Sequence, residues 1–531
     1  MKLARLIACK AIVLLAIVTF AQGDAARGQP LRQLIDAQVK AGWQADQVTP
    51  VGRADDAAFL RRVYLDLTGD IPNYDDTVKF LADKDPQKRA KLIDRLLDDP
   101  RYAEHQADEW NLILFGRHPS EEIRKLGGVR DWLAERFAKN IPYDQLVREL
   151  LLAEKGTENF YAQFNRKPED TTVAVTRIFL GTQLQCARCH DHPFERWTQK
   201  DFYGMTGFFV RLVVVDKGGA AKDGRYLIAE KSTGDVLFTG EAKDQTPGKK
   251  GEPVKPKFLG AAVLEEPELP KDFKEPDFKN PKNLPSPKFS RKAKLADWVV
   301  AADNPYFARA VANRVWAQFL GRGIVHPVDD LSEKNPTRHA KLLEILAGQM
   351  VEHKFDLKWY IRELCNSETY QLAASGPVTD ALPRWYERAR VRPLSAEEMF
   401  RAIHTATGYE PKDKKGSRVD DYFLRYLGEP MNGRGDFQGS LNEHLFFNNS
   451  GNLRTMIRDG KNNLYRTILD SKDPWDQKVD RMFLTVLNRP PRAEEKERFV
   501  DHLSSADGKP DVLVEEAIWV LLSCAEFRFN K

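Results

Sequence analysis

"DDAAFLRRVYLDL", residues 55–67, sets the fold class of this 531-residue chain. Phe59, Leu60, Val63 and Leu67 recur at three- and four-residue spacing, the period of a helix with an apolar face. The same period runs through its neighbours from about Leu31 to Phe209, in "TVKFLADK" (77–84), "KRAKLIDRLL" (88–97), "GVRDWLAERFA" (128–138) and "YDQLVRELLLAE" (143–154). Pro72, Pro100 and Pro142 punctuate the helices, because proline cannot continue one.

After Phe209 the period changes. "RLVVVD" (211–216), "RYLIAEKS" (225–232) and "DVLFTG" (235–240) are short β-branched or alternating runs, as in a small sheet. Residues 247–287 hold nine prolines among lysines and acids, which predicts an extended surface strap rather than a helix or central strand. Helical spacing returns with "KLADWVVAA" (294–302) and "YFARAVANRVWAQFL" (306–320). The expected class is mainly α, two helical domains with a small β-rich, proline-rich segment between them. The expected divisions are 24–210, 211–290 and 291–531, after an N-terminal leader.

One unit of this pattern occurs twice. Tyr64, Leu65, Leu67, Pro72, Asp75, Asp76 and Phe80 match Phe483, Leu484, Val486, Pro491, Glu494, Glu495 and Phe499 without a gap. Each copy reads as helix, proline turn, acidic first turn, helix, and acids there suit the positive end of a helix. A repeated packing unit explains the echo without any chemistry.

The leader is residues 1–23. Lys2, Arg5 and Lys10 lie before or beside the apolar run 11–21, followed by small residues up to Gly23, the pattern of a cleaved signal peptide. A membrane anchor needs about 20 apolar residues, so no span is expected after cleavage and the product is periplasmic or extracellular. Removing those three cations leaves 79 basic against 78 acidic residues, and so balanced a chain gives nucleic acid no electrostatic footing. Only Cys186, Cys189, Cys365 and Cys524 remain, too few for a disulfide-built scaffold. Cys365 and Cys524 close apolar helical runs and read as buried free thiols, with a bridge between them as the alternative.

The sharpest chemical signature is "FLGTQLQCARCHDHPFERW", residues 179–197. Cys186 and Cys189 with His190 form a Cys-x-x-Cys-His run, the attachment pattern of a c-type haem: two thioethers and a proximal imidazole from one helical turn. The apolar helix leading in, "VAVTRIFLGTQL" (173–184), offers a face to cover a macrocycle, and Arg188 and Arg196 could meet its propionates. Two other readings stay open. Zinc could use Cys186, Cys189, His190 and His192 as a tetrahedral set, although zinc usually draws its ligand pairs from separate segments. The thiols could instead form a redox disulfide, although no βαβ pattern surrounds them. By residue type alone, Met205, His326, His339 and His444 are candidates for a sixth iron ligand.

A second constellation lies at Asn313, Arg314, Trp316, His326, Asp329 and Asp330, where a helix ends at Gly321–Gly323 and enters "HPVDD". Arg314, His326, Asp329 and Asp330 could line a pocket, but clustered charges also serve helix ends, which is the favoured reading. "GRGDFQG" (433–439) lacks dinucleotide spacing and reads as a loop. No nucleophile elbow, zinc-protease helix or phosphate loop is present.

These motifs resemble a known pair. "DDAAFLRRVYLDLTGDIP" (55–72) and "LGTQLQCARCHDHPFERWTQKDFYGMTGFF" (180–209) resemble the secreted planctomycete cytochrome-type domain, PSCyt-type. "NPYFARAVANRVWAQFLGRGIVHPVDDL" (304–331), "FDLKWYIRELCNSETYQL" (355–372) and "RPLSAEEMFRAI" (392–403) resemble the PSD-type C-terminal domain that usually follows it. The resemblance implies an exported protein of uncharacterised activity, suspected of binding haem through Cys186, Cys189 and His190. It departs from the pattern at residues 423–450, where a cysteine-containing stretch is expected and none occurs.

Two function classes follow. One is an exported c-type haem protein that transfers electrons to an extracytoplasmic redox partner or oxidises a substrate; a dedicated carrier needs only about 100 residues, so a larger task is expected. The other is a zinc-stabilised envelope or polysaccharide-binding protein without catalysis, in which Trp316 and Trp385 are available aromatics.

Overall fold

The computed structural model describes residues 28–117, 129–164, 166–218, 225–238, 250–377, 381–409, 427, 441–460, 463–506 and 508–531. The leader 1–23 and the loop 433–439 lie outside the described residues. The fold is mainly helical, with three two-stranded antiparallel sheets among the described residues. Leu212–Asp216 pairs with Tyr226–Glu230, and Val236–Phe238 pairs with Glu252–Val254. Arg392–Pro393 pairs with Phe529–Asn530.

The opening stretch becomes the helix Asp56–Thr68. Asp55 caps it by accepting from the Ala58 amide at 2.8 Å, and Gly69 ends it in the left-handed region at φ +64°. Every residue from Phe59 to Thr68 is buried. The apolar stripe is therefore only half of its role, because the polar face is buried as well. Arg61 donates to the carbonyl of Val486 (3.2 Å), the Asn488 side chain (2.7 Å) and the carbonyl of Phe527 (2.8 Å). Burial pushes its guanidinium pKa down to about 10. Arg62 donates to the carbonyls of Tyr370 (2.6 Å) and Leu372 (2.9 Å).

These contacts run in two directions because the helix lies between two hydrophobic cores. Leu60, Val63, Tyr64 and Leu67 belong to a first core extending from Leu31 to Tyr386. Leu65 and Ile71 belong to a second, otherwise built from Leu394 to Phe527. The cores therefore part near residue 390. The helices Arg291–Val299, Phe307–Leu320, Ala340–Glu352 and Leu357–Asn366 pack into the first core with the N-terminal half of the chain.

The sequence echo is a structural repeat. Helices Asp56–Thr68 and Trp475–Val486 are each followed by a left-handed residue, Gly69 (φ +64°) and Asn488 (φ +60°). Helices Tyr74–Ala82 and Ala493–Leu503 then follow the prolines. The copies also touch: Asn488 donates to the Pro72 carbonyl at 2.9 Å, and Arg481 stacks 4.2 Å over Tyr74.

The strap is pinned by charge. Glu266 binds Arg291 (2.5 Å) and Arg211 (3.0 Å), and Glu275 accepts from the Ser232 and Thr233 amides. Within it, Glu252–Val254 form an edge strand, a position in a sheet that tolerates Pro253. Cys365 is buried in the first core and Cys524 is half-buried, both as free thiols.

The second core carries an acid-sensitive pin. Burial pushes the Glu526 carboxyl up, but hydrogen bonds from Arg489 (2.7 Å) and Lys531 (2.6 Å) outweigh it and hold the pKa down to about 2 from an ordinary 4.5. A depressed folded pKa stabilises above the unfolded value and loses that contribution as pH falls from about 4.5 towards 2. Glu526→Gln is expected to cost about 1–3 kcal/mol at neutral pH. Urea titrations at stepped pH should also show a shallower acid loss of stability than in the parent.

Candidate functional site: the Cys186–His190 turn

Residues Gln185–Arg188 form one turn of 3₁₀ helix. Such a helix has three residues per turn, and Cys189, its C-cap, closes the turn by donating its amide to the Cys186 carbonyl at 3.3 Å. Leu184 and Ala187 anchor the turn in the first core, which leaves both cysteines and His190 exposed. The His190 Nδ1 lies 2.7 Å from the Asp191 carbonyl oxygen. A carbonyl only accepts, so Nδ1 carries the proton and the neutral ring keeps its lone pair on Nε2. This is how a protein prepares a ligating histidine.

Helix Gln199–Thr206 holds the turn from one side. Tyr203 and Gln199 donate to the Arg188 carbonyl at 3.0 and 3.2 Å, and the Asp191 carboxylate accepts from the Gln199 amide at 2.8 Å. A Thr198/Asp201 capping box starts that helix, and Lys257 of the strap pairs with Asp201 at 2.8 Å.

The other side is held by the second constellation. The Leu331 amide donates to the Gly181 carbonyl at 2.8 Å, and Gln183 donates to Asp329 at 3.1 Å. Ser332 hydrogen-bonds Glu195, and Arg177 lies 3.6 Å from Asp329. Two motifs more than a hundred residues apart thus share one place, with residues 329–332 crossing the neck of the loop 181–195. Burial, then Glu195 and Asp329, push the Asp330 carboxyl pKa up, and His192 opposes them. The His326 carbonyl accepts from Asn335 at 3.3 Å, which closes the turn carrying His326. Arg314 caps the carbonyls of Arg177 and Ile178 at 3.4 Å, and burial pushes its pKa down while Tyr143 and Asp329 oppose that shift. Asn313 bonds the Val325 backbone in both directions, at 2.8 and 3.0 Å.

Several expectations change. The apolar face of helix Pro168–Leu180 packs into the first core through Val175, Ile178 and Phe179, so it is not a cover for a macrocycle beside the turn. Arg188 pairs with Asp170 at 2.9 Å, and Arg196 stacks 4.7 Å over Trp197, so both cations already have partners. His192 Nδ1 accepts the amides of Glu195 (3.0 Å) and Phe194 (3.3 Å). Both contacts engage the Nδ1 lone pair, so His192 could ligate zinc only by giving them up. Among the described residues, no three His, Cys, Asp or Glu side chains gather where they could hold a metal ion.

Met205 is fully buried, and His339 is buried between Trp385 and Tyr386, where burial pushes its pKa down. His444 sits on helix Leu441–Asn449, beside the second core. Trp316 and Trp385 are buried, so neither offers a face to a sugar. The supports that sequence reasoning missed are Gly181, Gln183, Asp191, Glu195, Gln199, Tyr203 and Ser332. Each is an ordinary polar or small residue whose partner is set by the fold, and only the Thr198/Asp201 box was a readable local signal.

Comparison with known proteins returned two family models, both described as proteins of unknown function: PSCyt2 (DUF1549) over residues 34–213 and PSD1 (DUF1553) over residues 291–438. No curated protein and no solved structure matches the chain. No helix among the described residues is long and apolar enough to cross a membrane. The turn and the loop that crosses its neck thus come one from each matched region, and the chain carries a PSCyt2 domain followed by a PSD1 domain.

Proposed function

We propose that this is an exported c-type haem protein with a redox role, electron transfer or haem-dependent oxidation. One observation carries the reading: two exposed thiols, Cys186 within a 3₁₀ turn and Cys189 capping it, are followed directly by a histidine whose Nδ1–H is already committed to a carbonyl. That donor set fits the group. Cys186 and Cys189 would hold the haem through thioether links, each S–H having added across a vinyl C=C with no net oxidation. His190 Nε2 would bind the iron. Asp191, Gln199 and Tyr203 hold the turn in position, and the haem would contribute one-electron chemistry at the surface. Export rests on the leader 1–23.

The test is production in a host with haem-attachment machinery, denaturation, and a pyridine haemochrome spectrum. The parent should keep haem through denaturation, and the Cys186→Ala/Cys189→Ala double variant should lose it entirely. His190→Ala should keep the attachment and change the iron spectrum. A parent without covalent haem, holding stoichiometric zinc by elemental analysis, would overturn the reading in favour of a zinc-stabilised binding protein.

A further inference from the structure

Among the described residues, Phe194 is the most exposed large apolar side chain, at 73 %, and it stands four residues after His190. A single exposed apolar residue is ordinary on a protein surface. A phenyl held out by a built scaffold is less so, and the loop around Phe194 is built. The His192 amide donates to the Trp197 carbonyl at 2.8 Å, and the amides of Phe194 and Glu195 converge on His192 Nδ1. Glu195 is clasped by Ser332 across the neck, and Trp197 is buried in the first core. Pro193 fixes its own φ immediately before the phenylalanine. The effect of these constraints is to keep an aromatic ring in solvent four residues after His190, on the same loop as Cys186 and Cys189. Its ring lies 6.5 Å from the His192 imidazole between centroids, inclined by 70°.

We infer that Phe194 is the apolar contact for the porphyrin, a cofactor-binding residue whose ring packs on the macrocycle held by Cys186, Cys189 and His190. This rests on the haem reading. It also reassigns two residues. His192 positions Phe194 through its Nδ1, and the PSD1 loop contributes by holding Glu195, the next residue. The helix Pro168–Leu180 cannot serve as the cover, since its apolar face is spent in the core. Phe194 is the large apolar side chain left exposed within the loop itself.

The experiment compares parent, Phe194→Ala and Phe194→Leu, each produced with haem-attachment machinery. Because Phe194 is exposed, neither substitution removes a core contact, and unfolding midpoints of the haem-free chains should agree. In the haem-loaded chains, Phe194→Ala should keep full covalent attachment. It should lose Soret circular dichroism intensity and lower the midpoint potential, because solvent reaching the ring favours the oxidised, more charged iron. Phe194→Leu should recover most of both. Parent and Phe194→Ala with the same Soret dichroism and potential would overturn this inference while leaving the haem reading intact. A parent without covalent haem removes both.

Discussion

Asp66→Ala is expected to lower stability by about 3–5 kcal/mol, the usual cost of breaking a buried, hydrogen-bonded charge pair. Asp66 accepts from Tyr370 Oη (2.8 Å), Asn530 Nδ2 (2.8 Å) and Arg392 (2.9 Å). Removing it strands two neutral buried donors and weakens the hold on Arg392, which keeps Glu398 at 2.7 Å. A cavity of about 20 Å³ already lies beside Arg62, Asp66 and Arg392, room for one water, which could satisfy part of the loss. Tyr370 belongs to the first core, while Arg392 and Glu398 start the second. Both should therefore weaken together. Urea unfolding followed by circular dichroism checks this; a change under 1 kcal/mol would mean that the network adds nothing net.

Gly181→Val should cost about 2–5 kcal/mol and loosen the candidate site as well. Gly181 ends helix Pro168–Leu180 at φ +60°, where a left-handed residue with a side chain costs about 1–2 kcal/mol. A Cβ there would stand 2.7 Å from Leu331 Cδ1 and 2.9 Å from its Cγ, so overpacking adds about 1–3 kcal/mol. Leu331 is also the residue whose amide closes the neck on the Gly181 carbonyl. Thermal unfolding should fall, and limited proteolysis should cut within 181–199 sooner than in the parent. Gly348→Ala is the control, since Gly348 lies in helix Ala340–Glu352 with nothing within 4 Å of an added Cβ. It should be neutral or gain up to about 1 kcal/mol.

Local rules account for what could be read in advance. Helix period, proline placement and acidic first turns depend on residues a few positions apart, so the helices, the strands within 211–240 and the repeat of 64–80 in 483–499 were legible, whereas the strands Glu252–Val254, Arg392–Pro393 and Phe529–Asn530 were not. So was the strap, because proline density excludes helix without reference to anything distant. The Cys-x-x-Cys-His run was legible for the same reason, its chemistry lying within five consecutive residues.

The sequence alone therefore determined the element types, the order of the two family segments and the position of the thiol–imidazole turn. Only the tertiary structure decided that Phe59–Thr68 is buried on all sides between two cores that part near residue 390. It also laid the loop 329–332 across the neck of the Cys186–His190 loop. The physical reason is range. A polar residue's partner depends on which segments the cores bring together, so Arg61 could not disclose Phe527, nor Glu195 disclose Ser332, until the chain had packed.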